Sequence, residues 1–157
     1  MAKAKQAPAA GPSARELAAR LSPERPQPAL TEAIARCDCP PEAKAGMFLI
    51  NGDWQRAHES AQELESPTAA YWHALVHRHE PDFGNSKYWL RRVGQSPIHA
   101  RLVEAAAREG KQALVAPEGR WDALRFTDCY ADPAQRDWTR RIEAVELQAL
   151  LEHSLGL

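Results

Sequence analysis

Long apolar runs are missing from this 157-residue chain. The longest, Met47-Phe48-Leu49-Ile50, falls far short of the ~20 residues that a membrane-spanning helix needs. No membrane partner is therefore expected. Cysteine is scarce and odd in number: Cys37, Cys39 and Cys129 do not form the regular framework of a disulfide-stapled secreted domain. Cys37-Asp38-Cys39 is tighter than the C-x2-C spacing of zinc pairs, and no second pair exists to complete four ligands. Reduced thiols in a cytoplasm are the expectation. An excess of either charge is also lacking, since 20 Lys and Arg stand against 21 Asp and Glu for a net charge of -1. That balance gives no concentrated basic face for nucleic acid or an anionic membrane surface. Lys3 and Lys5 are followed by Ala, Pro, Gly and Gln, where a signal peptide would carry an apolar run. Strand patterns are nearly absent too. Leu114-Val115 is the one candidate, and it is too short to nucleate a sheet. No glycine-rich phosphate loop can be drawn, because Gly84 and Gly94 stand alone, and no Ser-His-Asp arrangement is apparent.

Helix punctuation is what the sequence has in quantity. Ser13 and Glu16 have capping-box spacing ahead of a short helix to about Leu21, which the Ser22-Pro23 break ends. Ser66-Pro67, Ser96-Pro97 and Asp132-Pro133 each set a capping oxygen before a proline suited to a first helical turn. Pro41 suits a helix start in the same way. Gly52, Gly94, Gly110 and Gly156 follow apolar or basic stretches, where glycine accepts the left-handed C-cap conformation. Helices are expected at about 30–37, 41–51, 53–64, 67–80, 85–93, 97–109, 121–130 and 133–155. The expected fold is all-α: an antiparallel helix-turn-helix array with a long C-terminal helix. Residues 1–12 read as a disordered lead, 13–28 as a short helix with a Pro-rich linker, and 29–157 as one helical domain.

Trp54, Trp72, Trp89, Trp121 and Trp138 each fall in a different expected helix, so packing is the first role assigned to them. Gly52-Asp53-Trp54-x-x-Ala57 and Gly84-Asn85-Ser86-x-x-Trp89 each place Gly and a short polar residue before an aromatic helix, about one 34-residue repeat period apart. The layout from about Lys44 to Gly94 resembles tetratricopeptide or Sel1-like helical repeats, in which a Gly follows the first helix of a pair and an alanine sits where two helices must approach closely. Two departures stand out: Trp89 occupies the second copy where small Ala57 occupies the first, and there is no third copy. Tyr71-Trp72-His73, His77-Arg78-His79-Glu80-Pro81-Asp82, Asn85-Ser86-Lys87-Tyr88-Trp89 and Arg91-Arg92-Val93-Gly94 together resemble the signature of a family of small, uncharacterised bacterial and fungal proteins. That resemblance implies an independently folding unit and brings no activity with it.

Chemistry concentrates between Trp54 and Gly94. On the helix expected at 67–80, Trp72, Leu75, Val76 and His79 form one stripe by i, i+3, i+4, i+7 spacing. His73, His77 and Glu80 form a neighbouring stripe. Histidines at i and i+4 can chelate one ion because their side chains stack one turn apart, and a carboxylate one turn on can complete three ligands. Metalloprotease chemistry is not supported, since Ala74 stands where the zincin motif has Glu. Trp54, His58, Ala61 and Glu65 share a face of the preceding helix, and an antiparallel neighbour would bring His58 towards His73 or His77. The candidate polar site is therefore His58, His73, His77, Glu80 and Asp82, with Tyr88 and Arg92 beside it to bind an anion. Its metal ligands would be His58, His73 and His77 around one divalent ion. The structural alternative is a buried polar network in which Arg92 pairs with Asp82 or Glu80. His79, set among apolar neighbours, reads as a packed or interface histidine. Lys87 and Arg91 share a solvated face, which argues against nucleic-acid binding through Lys87-Tyr88-Trp89-x-Arg91-Arg92.

Further along, Leu102, Ala105, Ala106 and Ala113 read as packing residues, and Gly119 to Phe126 as a lid over the core. Trp138, Ile142, Val145, Leu147, Leu150 and Leu151 give the last helix an apolar side, with Arg140, Arg141 and Glu143 outside. Glu146 is expected to partner Arg125 or Arg141. Three functional readings follow, the last of them an accessory protein whose exposed aromatics mediate self-association. The first is a non-enzymatic helical-repeat-like domain, without a cofactor, that binds a protein or peptide partner. The second is a metal-dependent or acid-base enzyme using His58, His73 and His77 with Glu80 or Asp82.

Overall fold

A computed structural model describes residues 11–23 and 25–157, and among them it contains ten α-helices, two 3-10 turns and no strand. The expected lead at 1–12 falls mostly outside the described residues; Gly11 and Pro12 are exposed and non-helical. The helices are α1 (Ala14–Arg20), α2 (Pro28–Arg36), α3 (Pro41–Ile50), α4 (Trp54–Gln62), α5 (Pro67–His79), α6 (Phe83–Val93), α7 (His99–Arg108), α8 (Gln112–Val115), α9 (Ala123–Ala131) and α10 (Arg136–Ser154). None is long and apolar enough to cross a membrane.

The caps explain most of the boundaries. Ser13 and Glu16 form the reciprocal capping box of α1, which satisfies two otherwise orphaned donors. Asp53, Ser66, Asp82 and Asp122 accept backbone N–H groups at the starts of α4, α5, α6 and α9. Gly52 takes a φ of +78°, which lets the chain reverse within three residues between α3 and α4. Two expected starts move. Ser96-Pro97 lies ahead of α7, which begins at His99 without a side-chain cap. Asp132-Pro133 instead opens a 3-10 turn, and α10 follows at Arg136. Leu114-Val115, the strand candidate, ends the short helix α8.

Short connections make α3, α4, α5 and α6 successive antiparallel neighbours, each packed on the next. α5 is the central element: every residue from Tyr71 to Arg78 is buried, because α3, α4 and α6 pack against it and α10 reaches it from the far side of the chain. Trp72 is fully buried with its indole N–H donating to Ser154 Oγ of α10 at 3.0 Å. Its ring rests on Gly46 of α3 so closely that a Cβ there would lie 2.3 Å from Cζ2. Ala57 and Ala61 are likewise fully buried and let α4 approach. Leu17 of α1 has no exposed surface and belongs to this same core, so the segment ahead of the Pro-rich stretch packs on the helical body.

Several side chains sit elsewhere than expected. Trp54 is 43% exposed, since it opens α4 at the edge of the array rather than packing within it. Trp121 precedes α9 instead of lying in a helix, and it is half-buried against Phe126 at 5.0 Å between ring centroids. Ala113 is exposed. Glu143, expected outside α10, is buried. Glu146 pairs with neither Arg125 nor Arg141, which bind Asp122 and Glu109. It accepts from Arg78 Nη1 at 2.5 Å and from Tyr71 Oη at 2.8 Å, fully buried. A buried charge is tolerated only when paired and hydrogen-bonded. The Arg78 guanidinium also lies 5.0 Å from the Phe126 ring centre and 5.3 Å from that of Tyr130, so α9 supplies an aromatic cradle for it.

Candidate functional site

Three histidines from two helices meet on the side of α5 that faces α4. His73 and His77 sit one turn apart on α5, their rings stacked at 4.9 Å between centroids with 18° between planes. His58 comes from the middle of α4, with its ring centroid 4.7 Å from His73 and 4.9 Å from His77. One ring nitrogen from each residue lies within 4.8 Å of the other two. A tetrahedral ion with bonds near 2.0–2.1 Å holds its ligands about 3.4 Å apart. Closing the trio therefore takes a contraction of up to about 1.4 Å, which rotation about the broad χ2 wells of the imidazoles can supply.

Carboxylates stand at one edge of the trio. Glu80, the C-cap of α5, places one oxygen 3.8 Å from His58 Nδ1 and the other 3.4 Å from His77 Nδ1. Asp82 Oδ2 lies 3.8 Å from His77 Nδ1, but that carboxylate is already engaged as the N-cap of α6, accepting from Asn85. On the other side, Trp89 of α6 stacks on His73 at 4.1 Å between centroids. Arg92 lies over the faces of Trp89 and Tyr88, at 5.2 and 4.8 Å. Among the described residues Arg92 has no ion pair, so the expected partnership with Asp82 or Glu80 does not form. Tyr88 is 47% exposed and stands behind Trp89, outside the histidine trio.

Burial sets the charge state. His73 is 4% exposed, and desolvation, reinforced by His58 and His77, pushes its pKa down to about 4. His77 is also lowered, first by burial and then by His58, against the opposing pull of Glu80 and Asp82. These imidazoles are neutral at pH 7, the state a metal ligand requires. Both nitrogens of His73 and Nδ1 of His77 are buried without a hydrogen-bond partner. An unsatisfied buried donor or acceptor costs about 1–3 kcal/mol, and here three such atoms gather in one place.

His79 points away from this cluster. Its Nε2 lies 3.0 Å from Glu143 Oε1 of α10, and its ring is 5.9 Å from that of Trp54. Burial would raise the Glu143 carboxyl, but His79, Arg78 and Arg140 outweigh it and hold it at about 2. This second polar cluster, with the Arg78–Glu146 pair, was not foreseen from the sequence. A visible signal existed: Glu143 and Glu146 are interleaved with Ile142, Leu147 and Leu150 on one helix, where a carboxylate must find a buried partner.

Cys37, Cys39 and Cys129 are free thiols, and burial pushes the Cys39 thiol up to about 12, so it is protonated at neutral pH. Lys87 is bound to Asp128 at 2.6 Å. Searches against protein-family models, curated proteins and solved structures return no match to this chain.

Proposed function

We propose that this is a helical metal-binding protein that holds one divalent transition-metal ion between α4 and α5 through His58, His73 and His77, with Glu80 as the carboxylate of the set. The neutral imidazoles of His73 and His77, whose buried nitrogens lack partners, and the ring of His58 converging on them carry this assignment. A bound ion would satisfy one ring nitrogen of each histidine, and it would offset part of the cost of burying them. A nitrogen-rich set with one carboxylate suits zinc and its first-row neighbours, whereas calcium and magnesium take oxygen ligands. Glu80 spans the Nδ1 atoms of two of the histidines, the position from which a carboxylate orients ligating imidazoles or joins them. The part-exposed His58 lies on the solvent side and provides the route of entry.

Binding of a protein or peptide partner is a second proposal. Trp54 and Tyr88 favour it, because both are large aromatics left exposed on the helical array. Titration of zinc into chelator-treated protein, followed by calorimetry, separates the two. The metal reading expects one equivalent bound, with affinity reduced by about a hundredfold or more in His58→Ala, whose side chain is outside the core, and in His77→Ala. Absence of saturable zinc binding, or an unchanged affinity in both variants, would remove it.

A further inference from the structure

A cavity of about 580 Å3 lies against α5 on the side opposite the histidine trio. His79 borders it, and two residues along a helix place a side chain about 200° away from that of His77. Three guanidinium groups line it, from Arg78, Arg136 and Arg140, and none of its lining residues is a carboxylate. Glu146 neutralises Arg78, and Glu143 neutralises Arg140 at 2.8 Å. Arg136 has no ion pair among the described residues, so the cavity retains about one unit of positive charge. Arg78 adds a buried Nε without an acceptor. The other walls are flat and aromatic: Trp54, Phe83 and Tyr130, with Arg140 laid over the Tyr130 ring at 4.5 Å.

We infer that this cavity is a binding site for a small organic monoanion, a carboxylate carried on a flat apolar body. One uncompensated guanidinium matches one carboxylate, whose two oxygens it can bind as a fork. Aromatic walls suit a planar carbon skeleton better than a hydrated phosphate. The volume is that of an ordinary small-molecule site. This site shares no residue with the metal cluster and does not depend on a bound ion.

Benzoate is a suitable probe, titrated into the whole protein and followed by the fluorescence of Trp54 at the cavity wall, with Trp54→Phe as the control that removes the signal. Saturable binding is expected, about tenfold or more tighter for benzoate than for neutral benzamide, because the charge-assisted bonds are lost in the amide. Arg136→Ala should weaken benzoate by a similar factor without lowering the melting temperature, since Arg136 is exposed and unpaired. The same constants are expected after chelator treatment. Equal binding of benzamide, tighter binding of inorganic phosphate, indifference to Arg136→Ala, or no saturation with benzoate would each overturn the assignment.

Discussion

Replacing Gly46 by Ala tests the packing that sets α5 in place. The new Cβ would lie 2.3 Å from Trp72 Cζ2, 2.5 Å from Cε2 and 2.7 Å from Cη2, the nearest of them about an ångström inside ordinary contact. The indole cannot easily withdraw, because it is fully buried and tied to Ser154 on α10. Overpacking of this kind costs about 1–3 kcal/mol, and so large an overlap belongs at the upper end. Alanine in a helix interior returns about 0.5–1 kcal/mol relative to glycine. The net loss is therefore about 2 kcal/mol, or roughly 4–8 °C in melting temperature for a chain of this size. Urea and thermal unfolding of Gly46→Ala measure it directly. In a Trp72→Phe background the smaller ring vacates the contact, and the added penalty of Gly46→Ala should fall below about 1 kcal/mol. A Gly46→Ala protein as stable as the parent, or an equal penalty in both backgrounds, would refute the close approach of α3 to α5.

Glu146→Gln leaves the Arg78 guanidinium buried without its counter-charge and should lower stability by about 3–5 kcal/mol. Arg78→Met with Glu146→Leu should recover part of that loss in denaturant titrations, because the two apolar groups need no partner while the buried Tyr71 hydroxyl loses its acceptor. The metal-free protein should also lose stability in acid. His73 is held neutral with a pKa of about 4 in the fold against 6.5 outside it, so the unfolded chain binds the extra proton between those values. Stability is then flat above about pH 6.5 and falls as the pH drops towards 4. The loss from His73 alone reaches about 3 kcal/mol. Urea titrations across that range, repeated on His73→Phe, should show the slope in the parent and a shallower one in the variant.

Local chemistry was legible where a residue and its consequence lie within one turn. The capping box of Ser13 and Glu16, the proline at the start of α5 and the glycine after α3 could all be read directly, and they define an all-helical chain. The i, i+4 spacing of His73 and His77 likewise placed two rings on one face. Bringing His58 to them required only that α4 and α5 be antiparallel, which a four-residue connection enforces. Contacts distant in sequence were not legible. Arg78 and Glu146 are 68 residues apart, and nothing in either helix selects the other. The stripes assigned to α5 implied a solvent side, yet Tyr71 to Arg78 is buried all round. Periodicity reports which residues share a face, not how many helices surround it. Trp54 shows the converse: a large aromatic at a helix start can stand at the edge of the array and remain exposed.

Cobalt titration of the chelator-treated protein tests the proposed metal centre most directly, because ligand-field absorption reports the donor atoms as well as the stoichiometry. One equivalent of Co2+ should bring up visible bands of a nitrogen-rich site, with no thiolate charge-transfer band, and zinc should displace them. Those bands should be lost in His58→Ala, His73→Ala and His77→Ala, with His58→Ala retaining the parent helical content and unfolding transition. A cobalt spectrum that never saturates, or that survives removal of His58 and His77, would contradict a metal ion held between α4 and α5.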